Sequence, residues 1–246
     1  MNDIFPKVDR NTVPHLTTDH MIEVDRAMIE DYGIELIQMM ENAGRGLARL
    51  AVSRFLGGSP SGKKVIVLAG RGGNGGGALV AARRLHNWGA SVEVALTRPA
   101  ESFAGIPRHQ LAIVQALGIP VHEQSLSFDT PELIVDGVIG YSLKGEPRGR
   151  AAELIQFANE NPAAVLSLDT PSGIDTSSGT VHDPTVAATA TFTLALPKAG
   201  LFTENTSPLV GELYLGDISV PPELYVSLGF TVYSRLFADS DIVYLV

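Results

Sequence analysis

The sequence contains no cysteine. That removes disulfides, thiolate catalysis and cysteine-ligated zinc in one step, and it leaves the redox compartment open. Histidine is sparse too: six are scattered without the paired spacing of a zinc site and read as structural or surface residues. No apolar run is long enough to cross a bilayer. The N-terminal "MNDIFPKVDRNTVPHL" lacks the apolar centre of a signal peptide, so a cytoplasmic protein without membrane association is expected. Positive charge is in deficit, with 18 Lys and Arg against 27 Asp and Glu and a net charge of -9, which argues against a nucleic-acid partner. There is a single tryptophan, Trp88, at the end of a helix-like segment and expected in the core. No repeat, linker or low-complexity tract divides the 246 residues, a length that one large α/β domain accommodates.

What is present is an alternation of apolar runs and amphipathic segments. "TTDHMIEVDRAMIEDYG" offers Thr17, Thr18 and Asp19 as caps, places Met21, Val24, Met28 and Tyr32 at helical spacing, and stops at Gly33. "IELIQMMENAGRGLARLAVSRFL" is a longer helix closed by Gly57-Gly58-Ser59-Pro60, in which Ala43 and Gly44 allow another backbone to come close. Then "KVIVLAG", "SVEVALT", "LIVDGVIG" and "AAVLSLDTPSG" read as buried strands, separated by the helices "GALVAARRLHNWG", "AGIPRHQLAIVQALG" and "AAELIQFANENP". Strands of this kind, alternating with helices, imply a parallel sheet covered on both faces. From Asp183 onwards, "TATFTLALPKAG" and "GELYLGDISV" are expected as further strands without helices between them. The reading is an α/β, doubly wound domain with two helices added at its front.

Three segments at strand ends carry unusual chemistry, and in open α/β sheets ligands lie beyond those ends. Gly70-Arg71-Gly72-Gly73-Asn74-Gly75 fits G-x-G-x-x-G between a strand and a helix. It suits a phosphate at a helix N-terminus, or simply a tight turn. It is not a Walker A loop, and the next strand ends in Thr97-Arg98 rather than the acid a dinucleotide ribose requires. In "LIVDGVIGYSLKGEPRG", Asp136 closes an apolar strand, where a cation, a donor network or solvent must offset its desolvation. Lys144 and Arg148 stand ready for an anion or for a local salt bridge. In "SLDTPSGID", Asp169 again ends a buried run, and two carboxylates at neighbouring strand ends suggest a shared site. Asp175 has an ordinary explanation as a turn former.

Taken together and in this order, these motifs resemble the YjeF N-terminal domain family, the NAD(P)H-hydrate epimerases. The resemblance runs from about Met21 to Ile218. It covers the paired front helices with Met40-Glu41-Asn42-Ala43-Gly44, "AGRGGNGGGALVAAR", "VDGVIGYSLKGEPRG", "LDTPSGIDTSSGT", "TFTLALPKAGL" and "GELYLGDISVP". It implies a Rossmann-like fold, doubly wound with a mostly parallel sheet and two additional N-terminal helices. It further implies a single domain over residues 1–246 with its core at about 18–220, and no attached dehydratase domain. Members interconvert the R and S forms of NADHX and NADPHX, hydrates of the reduced nicotinamide ring, and are often homodimers. A separate S-specific dehydratase then repairs the S form.

Carried over residue by residue, Asn74, Asp136 and Ser172 resemble the ligands of a potassium ion, all hard oxygen donors. Gly73, Asn74, Gly75, Gly76 and Gly77 resemble one substrate-binding stretch. Gly140, Tyr141, Ser142, Leu143, Lys144, Gly145 and Glu146 resemble another. Asp169 resembles the residue that contacts the hydrated ring and is the expected acid–base group. The glycine loop departs from the family's usual G-x-G-N-N-G-G-D-G-L at Gly73, where an Asn is usual, and at Gly77, where an Asp is usual. Two other readings are a non-catalytic ligand-binding or scaffold member of the same family, and a nucleotide-binding oxidoreductase suggested by G-x-G-x-x-G alone.

Overall fold

The structure is a computed structural model that describes residues 4–232 and 235–246. The first three residues of the N-terminal stretch read above lie outside it. In chain order the strands are β1 (Lys7–Val8), β2 (Lys64–Ala69), β3 (Ser91–Leu96), β4 (Val121–His122), β5 (Leu133–Gly137), β6 (Ala164–Leu168), β7 (Ala190–Leu194), β8 (Glu212–Gly216) and β9 (Ile242–Leu245). The α-helices are α1 (Thr18–Glu30), α2 (Leu36–Leu50), α3 (Gly73–Asn87), α4 (Gly105–Ala116), α5 (Arg150–Glu160), α6 (Ser207–Val210) and α7 (Pro222–Ser227).

The strands form one sheet in the order β1-β9-β8-β7-β6-β5-β2-β3-β4. Every pairing is parallel except β8 with β9. The apolar runs are continuous rather than alternating because both faces are covered: Val65 to Ala69 of β2 and all of β5 are buried. From β2 the chain steps outward through β3 and β4, then returns to lay β5 on the other side of β2. The β2/β5 boundary is therefore a topological switch point, where the connections on either side run away from each other and leave a crevice.

The two front helices close over that crevice. Thr17 caps α1 by accepting from the His20 N–H, while the Thr17 N–H donates to His20 Nδ1. The buried stripe of α1 is Met21, Val24, Ala27 and Met28. Tyr32 lies beyond the last turn and is exposed, so it does not extend the stripe. Helix α2 runs on into a π-helical turn at Ala51–Phe55 before Gly57 and Gly58 reverse the chain with positive φ. Along α2, the absence of a side chain at Gly44 lets α3 approach to backbone contact: a Cβ there would lie 2.6 Å from the Gly77 carbonyl oxygen. Glu41 clamps the same pair of helices from their polar side through Arg83 and Arg84.

Three further expectations are corrected. Helix α6 and a 3-10 turn at Ala199–Phe202 intervene between β7 and β8, so the closing strands do not follow one another directly. They pair in parallel, which requires a crossover. Trp88 follows the last residue of α3 and is 40% exposed rather than core. The helix after the glycine loop starts at Gly73, inside the loop, rather than at Gly77. No helix among the described residues is long and apolar enough to cross a membrane.

Candidate active site

The three marked loops follow β2, β5 and β6, adjacent strands at the centre of the sheet. With the front helices they enclose a cavity of about 590 Å³. Met21, Met39, Met40 and Ala43 supply an apolar wall from α1 and α2; Arg71, Arg98, Lys144 and Arg148 add four positive groups to the lining. Asp25, Glu146 and Asp169 line it as well, so cations and carboxylates share the cavity.

Not every candidate residue reaches the cavity. Gly73, Asn74, Gly77, the run from Gly140 to Lys144, Glu146 and Asp169 line it. Gly75, Gly76, Gly145, Asp136 and Ser172 are not among the lining residues. Gly75 is needed for the turn itself, since a Cβ there would collide with the Gly70 carbonyl as the loop folds back. No side chain caps α3, so its leading N–H groups have no capping partner from the Gly72 position. Gly77, where the family pattern has Asp, lines the cavity; a Cβ there would sit 2.9 Å from Leu168 Cδ2. Gly73, where the pattern has Asn, has open space around it.

Beneath the cavity Asp136 is fully buried. Its compensation is a donor network, so solvent exposure and a local salt bridge are both set aside. Oδ1 accepts from the Ser172 hydroxyl at 2.6 Å and the Val138 N–H at 3.1 Å. Oδ2 accepts from the Ser167 hydroxyl at 2.8 Å and the Ser172 N–H at 2.9 Å. Burial pushes this carboxyl above the usual carboxylate range, against the pull of those four bonds. The network fixes the Pro171-Ser172 turn to the end of β5. The Ile139 N–H donating to Ser172 Oγ ties the middle loop to the same turn. Asp175 forms the expected turn, accepting from the N–H groups of Ser177 and Ser178.

Asp169 is buried and lines the cavity with a backbone φ of 66°, a conformation rare for a non-glycine residue. Its N–H donates to the Phe192 carbonyl at 2.7 Å, and its carboxylate forms a buried ion pair with Lys198. Lys198 is fully buried; its ammonium also donates to the Leu194 carbonyl at 2.8 Å and to Thr193 Oγ1 at 3.3 Å. Sequence reasoning missed Lys198, although a lone lysine in the apolar "LALPKAGL" was the available signal. It also missed Asp25 of α1, which lines the cavity and accepts a hydrogen bond from Tyr141. Burial raises the Asp25 carboxyl above its ordinary range, helped by the negative charge of Asp169 and opposed by Tyr141 and Lys198. Tyr141 is pushed up in turn by burial and by Asp25.

A crevice at the switch point of a doubly wound sheet, with a buried carboxylate beneath it and both cations and carboxylates in its lining, is the place where α/β proteins of this class take small molecules. A family model described as "YjeF-related protein N-terminus" matches residues 36–200, and the chain belongs to that family. It is 39% identical over 242 residues to a protein named NAD(P)H-hydrate epimerase from Dehalogenimonas lykanthroporepellens, covering 98% of this chain and 96% of that one. It is 39% identical over 200 residues to a protein of the same name from Truepera radiovictrix, covering 80% and 86%. A Moorella thermoacetica protein named bifunctional NAD(P)H-hydrate repair enzyme Nnr is 32% identical over 224 residues, which span 87% of this chain but 42% of that protein. The crystal structure of yeast ynu0, YNL200c, shares the fold, with a TM-score of 0.80 at 24% identity over 95% of this chain and 100% of that one.

Proposed function

We propose that this protein is an NAD(P)H-hydrate epimerase, interconverting the R and S forms of NADHX and NADPHX. The names of relatives 39% identical over most of both chains support the reading. The observation that carries it is the Asp169 carboxylate, held by Lys198 on the wall of a cavity that Arg71, Arg98, Lys144 and Arg148 also line. A hydrated dinucleotide needs both parts: cations for its phosphates and a proton-exchanging group at the hydrated carbon.

The chemistry follows from the substrate. A protonated hydroxyl leaves as water while the ring nitrogen's lone pair forms a carbon–nitrogen double bond. Water then adds to the other face and gives up a proton, with no change of oxidation state. Asp169 is the acid–base group in contact with that carbon; the glycine-loop stretch Gly73 to Gly77 and the stretch Gly140 to Glu146 orient the dinucleotide. Asp169→Asn should lower R-to-S turnover by about 100-fold or more, the usual worth of a proton-transfer group. Turnover unchanged from wild type would assign the chemistry to another residue.

Potassium fits the residues present. Ser172 Oγ also lies 3.1 Å from the Ile139 carbonyl, so its single proton has a second acceptor. Turning it there frees a lone pair on Asp136 Oδ1. The Asn74 side-chain nitrogen is buried without a partner, and turned end for end the amide would present its oxygen instead. Asn74, Asp136 and Ser172 would hold the ion, whose positive charge would help fix the three loops. In this reading the protein works in the cytoplasm as a homodimer and passes the S form to a separate S-specific dehydratase. The bifunctional name of the Moorella relative supports that coupling.

A further inference from the structure

We propose that Asp25 is a second catalytic residue of the epimerase reaction, giving the proton to the departing hydroxyl while Asp169 takes the proton of the incoming water. This deepens the reading above and rests on it. The hydroxyl leaves one face of the ring and water adds to the other, so the acid–base work divides into two proton transfers, and Asp169 is anchored in a way that suits it to one of them. Its backbone is pinned to Phe192, its φ is left-handed, and Lys198 holds one of its carboxylate oxygens. The three donors of Lys198 are all engaged, by Asp169, Leu194 and Thr193, so that anchor does not swing. Lys198 holds Oδ1 of Asp169, which leaves Oδ2 as the oxygen that can take a proton from water.

The cavity offers few candidates for the donor. Arg71, Arg98, Lys144 and Arg148 are cations suited to phosphates, and Glu146 is exposed. The Tyr141 hydroxyl spends its hydrogen on Asp25. Asp25 remains. It lies on the apolar side of α1, four residues after Met21 and three before Met28, and lines the cavity from α1, whereas Asp169 does so from the end of β6. Its neighbour Arg26 is occupied by Glu23, Glu30 and Asp31. Burial and the Asp169 charge favour its neutral form, while Lys198 and the Tyr141 hydrogen bond favour the charged one. Two carboxyls in one site, Asp169 buried and ion-paired with Lys198 and Asp25 half-buried and hydrogen-bonded to Tyr141, are a means of separating acid from base.

The step balances. The Asp25 proton goes to the hydroxyl oxygen, the carbon–oxygen bond breaks with its electron pair on the leaving water, and the nitrogen lone pair forms the double bond. A second water adds its oxygen to the other face, that electron pair returns to nitrogen, and Asp169 takes the proton. The net transfer of one proton from Asp25 to Asp169 is reset by turnover in the reverse direction or by exchange with solvent.

The test is steady-state epimerisation of mixed R and S NADHX by the wild-type protein and two variants. Asp25→Asn keeps an acceptor for Tyr141 and should lower kcat by about 100-fold or more with KM within about threefold. Retention of kcat within about threefold, or a loss confined to KM, overturns the assignment. Tyr141→Phe keeps the acid but removes the bond that favours its charged form, so the basic limb of the kcat–pH profile should move to higher pH; an unmoved limb overturns the assignment. The groups facing Asp25 in that experiment are Tyr141, Asp169 and Lys198. Tyr141→Phe decides the matter if Asp25→Asn does not fold. An inactive wild-type protein sinks the epimerase reading and the Asp25 role with it. An active wild type beside an active Asp25→Asn sinks the Asp25 role alone.

Discussion

Replacing Lys198 by Met removes the ammonium and keeps most of the stem, so the cavity left behind is small and the change reports chiefly on charge. Lys198 is fully buried and Asp169 is 4% exposed, so water cannot readily take over the lost contacts. The variant leaves Asp169 without its cation and the Leu194 carbonyl and Thr193 hydroxyl without one of their donors. Breaking a buried pair from one side costs about 3–5 kcal/mol. For a chain of this size that is a fall in Tm of about 6–20 °C. Urea denaturation at neutral pH measures it. Combining Lys198→Met with Asp169→Asn removes the stranded charge and should recover at least about 1 kcal/mol of the loss. A loss below about 1 kcal/mol for the single variant, or no recovery in the double one, would refute the view that this ion pair anchors the site.

Two further outcomes concern the fold. Gly44→Ala should destabilise by about 1–3 kcal/mol, because its methyl meets the Gly77 carbonyl and the Val80 side chain; unaltered denaturation would mean that α2 and α3 are not in backbone contact. Asp175→Ala should cost about 1 kcal/mol near pH 7 through its lost turn hydrogen bonds. The backbone N–H of Ser178, the largest cause, holds the native Asp175 carboxyl below its ordinary value. Its stabilisation is therefore full above the unfolded value of about 3.9 and is lost as pH falls through the lower native one. Acid titration of both proteins should show their stabilities converging, and a constant gap would contradict this.

The central strands were legible because burial on both faces writes an unbroken apolar run, as in Val65 to Ala69 and Leu133 to Val135. The edge was not. β1 and β4 contain two residues each, too few for any period, and β9 is held by antiparallel pairing to β8 that no local pattern announces. Helix α6, at four residues, is shorter than two helical turns and leaves no amphipathic signature. Trp88 misled because size was taken for burial. In the site, the loops could be read from glycines and from carboxylates at strand ends, but their partners come from distant sequence. The Asp169–Lys198 pair spans 29 positions and Tyr141–Asp25 spans 116. Asp25 left one trace, a carboxylate on the apolar side of α1, which only a strict helical projection would have set apart.

The most direct measurement is a coupled assay on mixed R and S NADHX. An S-specific dehydratase with its nucleotide consumes the S form, and this protein is added when the reaction stalls. The account predicts renewed NADH production well above the spontaneous rate, despite glycine at position 77. No acceleration, with or without potassium and with NADPHX also tried, would contradict it and leave a binding role for the same cavity.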